Sequence, residues 1–223
     1  MGFIGFRRIM MHILLIHQAF ASLDQPGGTR HVEMARYLTQ KGHQVTVIAS
    51  QVSYITGKLQ PGKKAFIIRQ EEDGVIVLRC FAYPALHRSF VHRMVNFFSF
   101  MFSSFIAGLS VHHVDLVWGT SPPIFQGFTA WLLSRLKRSK FLFEVRDLWP
   151  AFAVGLGVLK QPLLIQASEW LERFLYHQST RVLINSPGFM THVQQRGAQQ
   201  ISLIANGADP RMFFPQANGS SYR

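Results

Sequence analysis

The sequence predicts an α/β protein built on a doubly wound, mostly parallel sheet. Short apolar runs rich in β-branched residues alternate with helix-length amphipathic stretches, the pattern of strands that are buried on both faces by crossover helices. Gly-, Ser- and Pro-containing loops separate them. The run Phe141-Leu142-Phe143-Glu144-Val145-Arg146-Asp147-Leu148-Trp149-Pro150 passes from an apolar segment straight into polar side chains, an indole and a proline. That is how a buried parallel strand ends where its C-terminal edge carries a site. A strand end whose Arg146 and Asp147 merely pair with each other or with a loop would read the same way.

The chain has 223 residues with 48% hydrophobic content, enough for one substantial core when domains average ~150 residues. Lys and Arg number 23 against 11 acidic residues, a formal charge of +12, and the pI is about 10.6. Anionic partners follow: phosphorylated ligands, nucleic acid or an acidic lipid surface. The single Cys80 excludes an internal disulfide framework and a thiolate metal cluster, and in a strand-like run it reads as a buried thiol.

Residues 1–22 offer Arg7, Arg8, a short apolar segment and Ala19-Phe20-Ala21, which together resemble a secretory signal. The apolar segment 13–16 is flanked by His12 and His17-Gln18 and runs into a glycine turn and an amphipathic helix. It serves better as a first strand, with residues 1–10 an extended start. Thr29 can cap a helix running to about Lys41, with Val32, Met34, Ala35 and Leu38 on its inner face, and a second strand spans 44–49. Gly27-Gly28 before that helix lets backbone N–H groups approach an anion, or is a plain turn. The pair is not a full G-x-G-x-x-G fingerprint and no acidic residue follows the second strand, so a nicotinamide cofactor is disfavoured.

Residues 50–64 read as a basic loop. Strands at 65–69 and 75–81 flank an Asp73-Gly74 hairpin turn whose acids are most simply solvated. Between Arg93 and Asp115 there is no Asp, Glu, Lys or Arg, and the run is long enough to suggest a transmembrane helix. Ser99, Ser103, Ala107 and Ser110 form a small-residue stripe suited to lying against a sheet, with Phe98, Phe102 and Phe105 on a large apolar face. That face packs under another helix, dips into a membrane interface or spans a bilayer. His87, Arg88, His92 and Arg93 just upstream favour the interface. A strand at 115–118 leads through Gly119-Thr120-Ser121-Pro122-Pro123 into a helix ending at Leu136. The basic cluster Arg135 to Lys140 suits that helix's C-terminal dipole better than nucleic acid. After the 141–145 strand come a helix at 162–178 with Glu169 and Glu172 on a solvated face, a strand at 181–184, a short helix at 187–195 and a last strand at 201–204.

These features resemble a known family. The His17 to Gly28 loop with its paired glycines, Gln40-Lys41-Gly42-His43 before Val45-Thr46-Val47, Gly119-Thr120-Ser121-Pro122, Glu144 to Pro150, Asn185-Ser186, and Asn206-Gly207-Ala208-Asp209 with Phe213 stand in the order found in the N-terminal domain of family 4 (group 1) glycosyltransferases. They look most like the fucosamine-transferase-like, surface-polysaccharide branch. The resemblance covers roughly residues 11 to 215 and implies one Rossmann-like half of a GT-B fold. In that family the N-terminal domain holds the acceptor, a C-terminal domain binds a nucleotide sugar, and retaining transfer occurs between them with no bound metal and no cofactor. Relatives in this branch work at the cytoplasmic face of the inner membrane on lipid-diphosphate sugars. The resemblance therefore implies a cytoplasmic, peripheral protein on an anionic membrane surface, with a nucleotide-sugar donor and a lipid-linked or glycan acceptor.

Carried over by position, Gly27 and Gly28 match the donor-diphosphate approach loop. Arg146-Asp147 stands where many family members have His-Asp near the reacting sugar. A guanidinium stays protonated and cannot be a base. Turns, helices and the linker account for most of the acids, leaving Asp24, Glu33, Glu144 and Asp147. Asp147 is expected to orient the acceptor or stabilise charge, Arg146 to fix it or contact phosphate, and Glu144 to face into the sheet or support them. Ser121 is expected to touch a sugar hydroxyl or cap the next helix, and Trp149 to border the acceptor. Residues 206–223 read as an interdomain linker whose donor domain, with its glutamate pair and phosphate-binding groups, is absent or separately encoded, so the chain alone is expected to be inactive. The alternative is a non-catalytic membrane-surface or partner-binding module. A nucleic-acid binder ranks below both, since the basic residues are scattered and lack a groove of stacking aromatics.

Overall fold

A computed structural model of the protein describes residues 10–21, 28–53, 55–59, 65–84 and 89–207. Its elements are β1 (His12–Ile16), α1 (Arg30–Gln40), β2 (Gln44–Ser50), β3 (Ile67–Glu72), β4 (Val75–Cys80), α2 (Phe90–Leu109), β5 (Leu116–Ser121), α3 (Phe125–Lys137), β6 (Lys140–Val145), α4 (Ala151–Gly155), α5 (Pro162–Gln178), β7 (Arg181–Ile184), a 3-10 turn (Pro187–Phe189), α6 (Met190–Gln195) and β8 (Ile201–Leu203). The strands form one eight-stranded sheet in the order β3-β4-β2-β1-β5-β6-β7-β8. All pairings are parallel except the antiparallel β3–β4 hairpin at one edge.

Strand periodicity divides the core. On β1, Leu14 and Ile16 face a cluster with Ile48, Phe100, Leu133, Phe143 and Tyr176, the side carrying α2, α3 and α5. Ile13 and Leu15 face the opposite cluster with Val32, Ala35, Val45, Val47 and Trp118, the side carrying α1. Helices therefore cover both faces, as the near-continuous apolar strands require. Close approach of α3 to the sheet depends on small residues: a Cβ on Gly119 would lie 2.5 Å from that of Ala130, and one on Gly127 2.5 Å from Phe143 Cε2.

The hairpin turn is as the sequence predicts, with Asp73 and Gly74 at φ 52° and 76°, both in the left-handed region that a type I′ turn needs. Asp73 is not merely solvated, because Arg36 of α1 pairs with it. Elsewhere the structure departs from expectation. Strand β5 runs on through Gly119, Thr120 and Ser121, because these residues continue the ladder to Val145. Three cis peptides lie in the loops after β5 and β6: Ser121-Pro122, Pro122-Pro123 and Trp149-Pro150. Thr29 makes no side-chain cap to α1. Glu172, expected in solvent, is fully buried, where the Tyr176 hydroxyl, His192 Nε2 and Arg196 Nη1 meet its carboxylate at 3.0, 2.8 and 2.9 Å. The i,i+3 spacing to Glu169 concealed this because the partners His192, on α6, and Arg196, just after it, lie 20 and 24 residues further on.

Helix α2 lays Asn96, Phe100, Ser103, Ser104, Ala107 and Gly108 inward, so the small-residue stripe exists but is centred on Ser103, Ser104, Ala107 and Gly108. Burying Phe100 alone contributes roughly 2–3 kcal/mol. The outer face carries Val91, Val95, Phe98, Phe102, Ile106 and Leu109, with Phe102 62% exposed. Phe105 differs from expectation, since it turns against the core. This helix is long and apolar enough to cross a membrane, yet its inner face is integrated into the domain.

Candidate functional site

The parallel strands β1, β5, β6 and β7 end at a common edge, and β1 is where the strand order reverses: β2 lies on one side of it and β5 on the other. Loops must diverge at such a point, which leaves a crevice. A cleft of about 1040 Å³ occurs there. Its wall includes His17 and Gln18 after β1, Gly28 to His31 at the start of α1, Pro122 and Pro123 after β5, Arg146 and Asp147 after β6, Asn185 after β7, and residues 204–207 after β8.

Beneath this wall lies Glu144, which is fully buried. Its Oε1 accepts from Arg30 Nε at 2.9 Å, and its Oε2 accepts from His31 Nε2 at 2.7 Å and Trp118 Nε1 at 3.0 Å. Burial by itself raises the carboxyl pKa, but the hydrogen bond and charge of His31, together with Arg30, outweigh it and hold the group below its ordinary value. Glu144 is thus an anion that positions two cleft residues, Arg30 and His31. Arg30 reaches further, donating to the carbonyls of Ile204 and Ala205 at 2.8 and 3.0 Å and to Asn206 Oδ1 at 3.3 Å.

His17 packs against His31 with ring centroids 4.0 Å apart and ring planes tilted by 34°. Arg146 Nη1 faces its Nε2 at 3.4 Å, and its Nδ1 lies 2.9 Å from Thr120 Oγ1. A guanidinium can only donate, so Nε2 accepts and Nδ1 carries the proton toward Thr120. Burial first, then the neighbouring His31 and Arg146, push the His17 pKa well below its ordinary value. The imidazole is neutral at physiological pH and anchors the Arg146 side chain.

Arg146 and Asp147 both line the cleft, as the strand-end pattern predicts. No ion pair joins them among the described residues; Arg146 leans on His17 instead. Gly28 lies at the cleft with open space where a Cβ would project, while Gly27 is outside the described residues. Ser121 is buried and not part of the wall; its carbonyl accepts from the Arg146 N–H at 3.1 Å. Trp149 packs against the core behind the wall, with its indole N–H unpartnered. Glu144 also sits behind the wall, in the supporting place that was one of its two expectations. Sequence reasoning assigned no role to His17, Gln18, Arg30, His31 or Trp118. Arg30-His31 directly after the glycine turn was the available signal, since a first-turn position following such a turn points along a strand-end crevice.

With this sheet and a cleft at its switch point, the chain belongs to the glycosyl transferase 4-like domain family, whose pattern matches residues 27–207. The solved structures it superposes on are GT-B glycosyltransferases, and it corresponds to one Rossmann-like half of that fold. It is similar to Escherichia coli WcaI, by name a colanic acid biosynthesis glycosyl transferase, at 25% identity over 188 residues, which cover 82% of this chain and 44% of WcaI. The sucrose-phosphate synthase of Thermosynechococcus elongatus superposes with a TM-score of 0.65 at 17% identity, over 93% of this chain and 51% of that one. Anabaena HepE, solved in complex with UDP-glucose, gives 0.52 at 14%, over 91% and 45%. At these identities the solved structures speak to the fold alone. The chain spans about half the length of these relatives.

Proposed function

We propose that this domain is the acceptor-binding half of a retaining glycosyltransferase. In this reading it helps move a sugar from a nucleotide-sugar donor to a lipid-linked or polysaccharide acceptor in cell-surface glycan synthesis, in the fucosamine-transferase-like branch. The observation that carries it is the cleft at the β1/β5 switch point, where Arg146 and Asp147 stand at one strand end and the open backbone of Gly28 at the start of α1. Asp147 orients the attacking hydroxyl or offsets charge developing on the sugar, and Arg146, held by neutral His17, contacts phosphate. The donor diphosphate approaches Gly28 from a second, donor-binding domain across the cleft, which this reading requires for turnover. It assigns no metal and no cofactor to the reaction. The colanic acid role in WcaI's name supports the surface-glycan direction.

The outer face of α2, with Phe98 and Phe102 exposed beside His92 and Arg93, supports docking on the anionic cytoplasmic face of the cell membrane. It would equally serve a non-catalytic membrane-surface module.

Fluorescence titration with a short-chain polyprenyl-diphosphate sugar tests the acceptor role. Arg146→Met is expected to weaken binding roughly tenfold, the size of a lost charge-assisted contact. Unchanged binding would overturn the assignment, as would turnover of nucleotide sugars at ordinary enzyme rates by the chain alone. Flotation with anionic vesicles should be lost in the double variant Phe98→Ser, Phe102→Ser, and undiminished flotation would remove the membrane element.

A further inference from the structure

Among the described residues, the buried side-chain polar atoms without a partner are Gln18 Oε1, Trp149 Nε1 and Asn185 Oδ1. Gln18 is 7% exposed and lines the cleft. Its amide orientation follows from its neighbours. The Tyr83 carbonyl can only accept, so the Asn96 group facing it at 2.6 Å is Nδ2, and Asn96 Oδ1 faces Gln18. Gln18 must then donate through Nε2, at 2.7 Å, which leaves Oε1 as the free atom. The backbone is pinned as well. Gln126 Nε2 faces the Pro122 carbonyl at 3.0 Å, so Gln126 Oε1 is the atom that accepts from the Gln18 N–H at 2.8 Å. Two buried amides, one on α2 and one on α3, therefore hold an unpartnered carbonyl oxygen just inside the wall that Gln18 forms.

An unpaired buried acceptor costs about 1–3 kcal/mol, which a ligand that supplies a donor recovers. A phosphate ester carries no donor and an anion would be repelled; a hydroxyl both donates and accepts. Part of the wall next to these contacts is apolar. Phe97, next to Asn96, and Pro122 and Pro123, next to the Gln126 contact, line the same cleft. They offer flat C–H surface beside one fixed acceptor, the mixture that recognises the faces and edges of a pyranose ring.

We propose that Gln18 is a specificity-determining residue whose Oε1 accepts a hydrogen bond from one particular hydroxyl of a sugar seated against Phe97, Pro122 and Pro123. This rests on the sugar-transfer reading and adds to it a residue, a direction of hydrogen bonding and a place in the cleft. Asn96 acts as a positioning residue through Gln18.

The test is a titration of the intact chain by saturation-transfer NMR with the methyl glycosides of glucose, galactose and mannose. The monodeoxy analogues of whichever binds are then compared on wild type and Gln18→Met. One analogue is expected to bind wild type about 3- to 10-fold more weakly than its parent, the size of a single hydrogen bond. On Gln18→Met that difference should vanish, while the other analogues keep theirs. A purely structural Gln18 would weaken every sugar alike and leave the deoxy differences intact, which overturns the proposal. The deoxy series on wild type decides alone if the variant does not fold, because no discrimination among analogues also overturns it. Binding without Gln18-dependent discrimination sinks this inference and leaves the sugar-transfer reading standing. No binding of any glycoside at about 100 mM, the weakest range that can be titrated, sinks both.

Discussion

Glu144→Gln is the sharpest probe of the site's foundation. The carboxylate serves three donors with two oxygens, whereas the amide has one oxygen and points an NH2 at whichever donors it fails to serve. If the amide oxygen stays with His31 and Trp118, the NH2 confronts Arg30; reversed, it confronts two buried N–H groups. Breaking a buried pair costs about 3–5 kcal/mol. Arg30 is 15% exposed at its side chain and keeps its carbonyl partners, which places the loss near the lower end, ~3 kcal/mol. For a domain of this size that lowers Tm by about 6–12 °C. Urea denaturation followed by circular dichroism should show a lower midpoint with an unchanged slope. The Arg30→Ala variant closes a double-mutant cycle, in which a coupling of at least ~1 kcal/mol is expected. Because the folded carboxyl titrates below its unfolded value, its contribution is present above the unfolded pKa and is lost as pH falls through the folded one. The variant should lack that acid limb. A loss under ~1 kcal/mol, or strict additivity with Arg30→Ala, would refute the hub.

Other consequences follow from the same geometry. His17 is buried neutral with its pKa below the ordinary 6.5, so protons bind the unfolded chain first and stability falls as pH drops below that value, by up to about 1.4 kcal/mol per pH unit. His12 adds a slope of the same sign; urea midpoints at pH 7 and 5.5 should converge partly in His17→Asn, and an unchanged difference would count against a neutral imidazole. Gly127→Ala places a methyl 2.5 Å from Phe143 Cε2 and 3.0 Å from Leu175 Cδ1, an overpacking cost of ~1–3 kcal/mol; a thermal midpoint equal to wild type would show that α3 can shift freely. Glu172→Gln leaves His192 and Arg196 competing for one oxygen, and a destabilisation of ~2–4 kcal/mol is expected by chemical denaturation; a neutral result would mean the cluster is solvated after all.

The sheet was readable because its signals are local. The continuous apolar run Ile13-Leu14-Leu15-Ile16, the Asp73-Gly74 turn and the abrupt polarity after Val145 each express physics within a few residues. Arg146 and Asp147 could be placed at a cleft for the same reason. What stayed hidden depends on pairings across the sequence. Glu144 meets Arg30 and His31 over more than a hundred residues, and Glu172 meets His192 and Arg196 over a helix-to-helix contact; a carboxylate at a given spacing looks the same whether its partners arrive or not. Phe105 turned inward, and Ile106 and Leu109 took the outer face with Phe98 and Phe102, because α2 is rolled about its axis by the fit of Gly108 against Leu133. That fit is invisible in a helical wheel drawn alone.

The guanidinium of Arg30 joins the start of the first helix to Glu144, to the backbone carbonyls of Ile204 and Ala205 and to the Asn206 side chain. Contacts spanning that much chain close only after the strands between them are aligned, since the loop-closure entropy must already have been overcome. The clamp therefore belongs to the native side of the folding barrier. Its loss in Arg30→Ala should leave the refolding rate nearly unchanged and steepen the escape from the native state, so in stopped-flow denaturant jumps the whole deficit appears in the unfolding limb. This single side chain acts as a kinetic lock on the cleft edge of the sheet: it contributes little to how fast the domain is made and much to how long it stays closed.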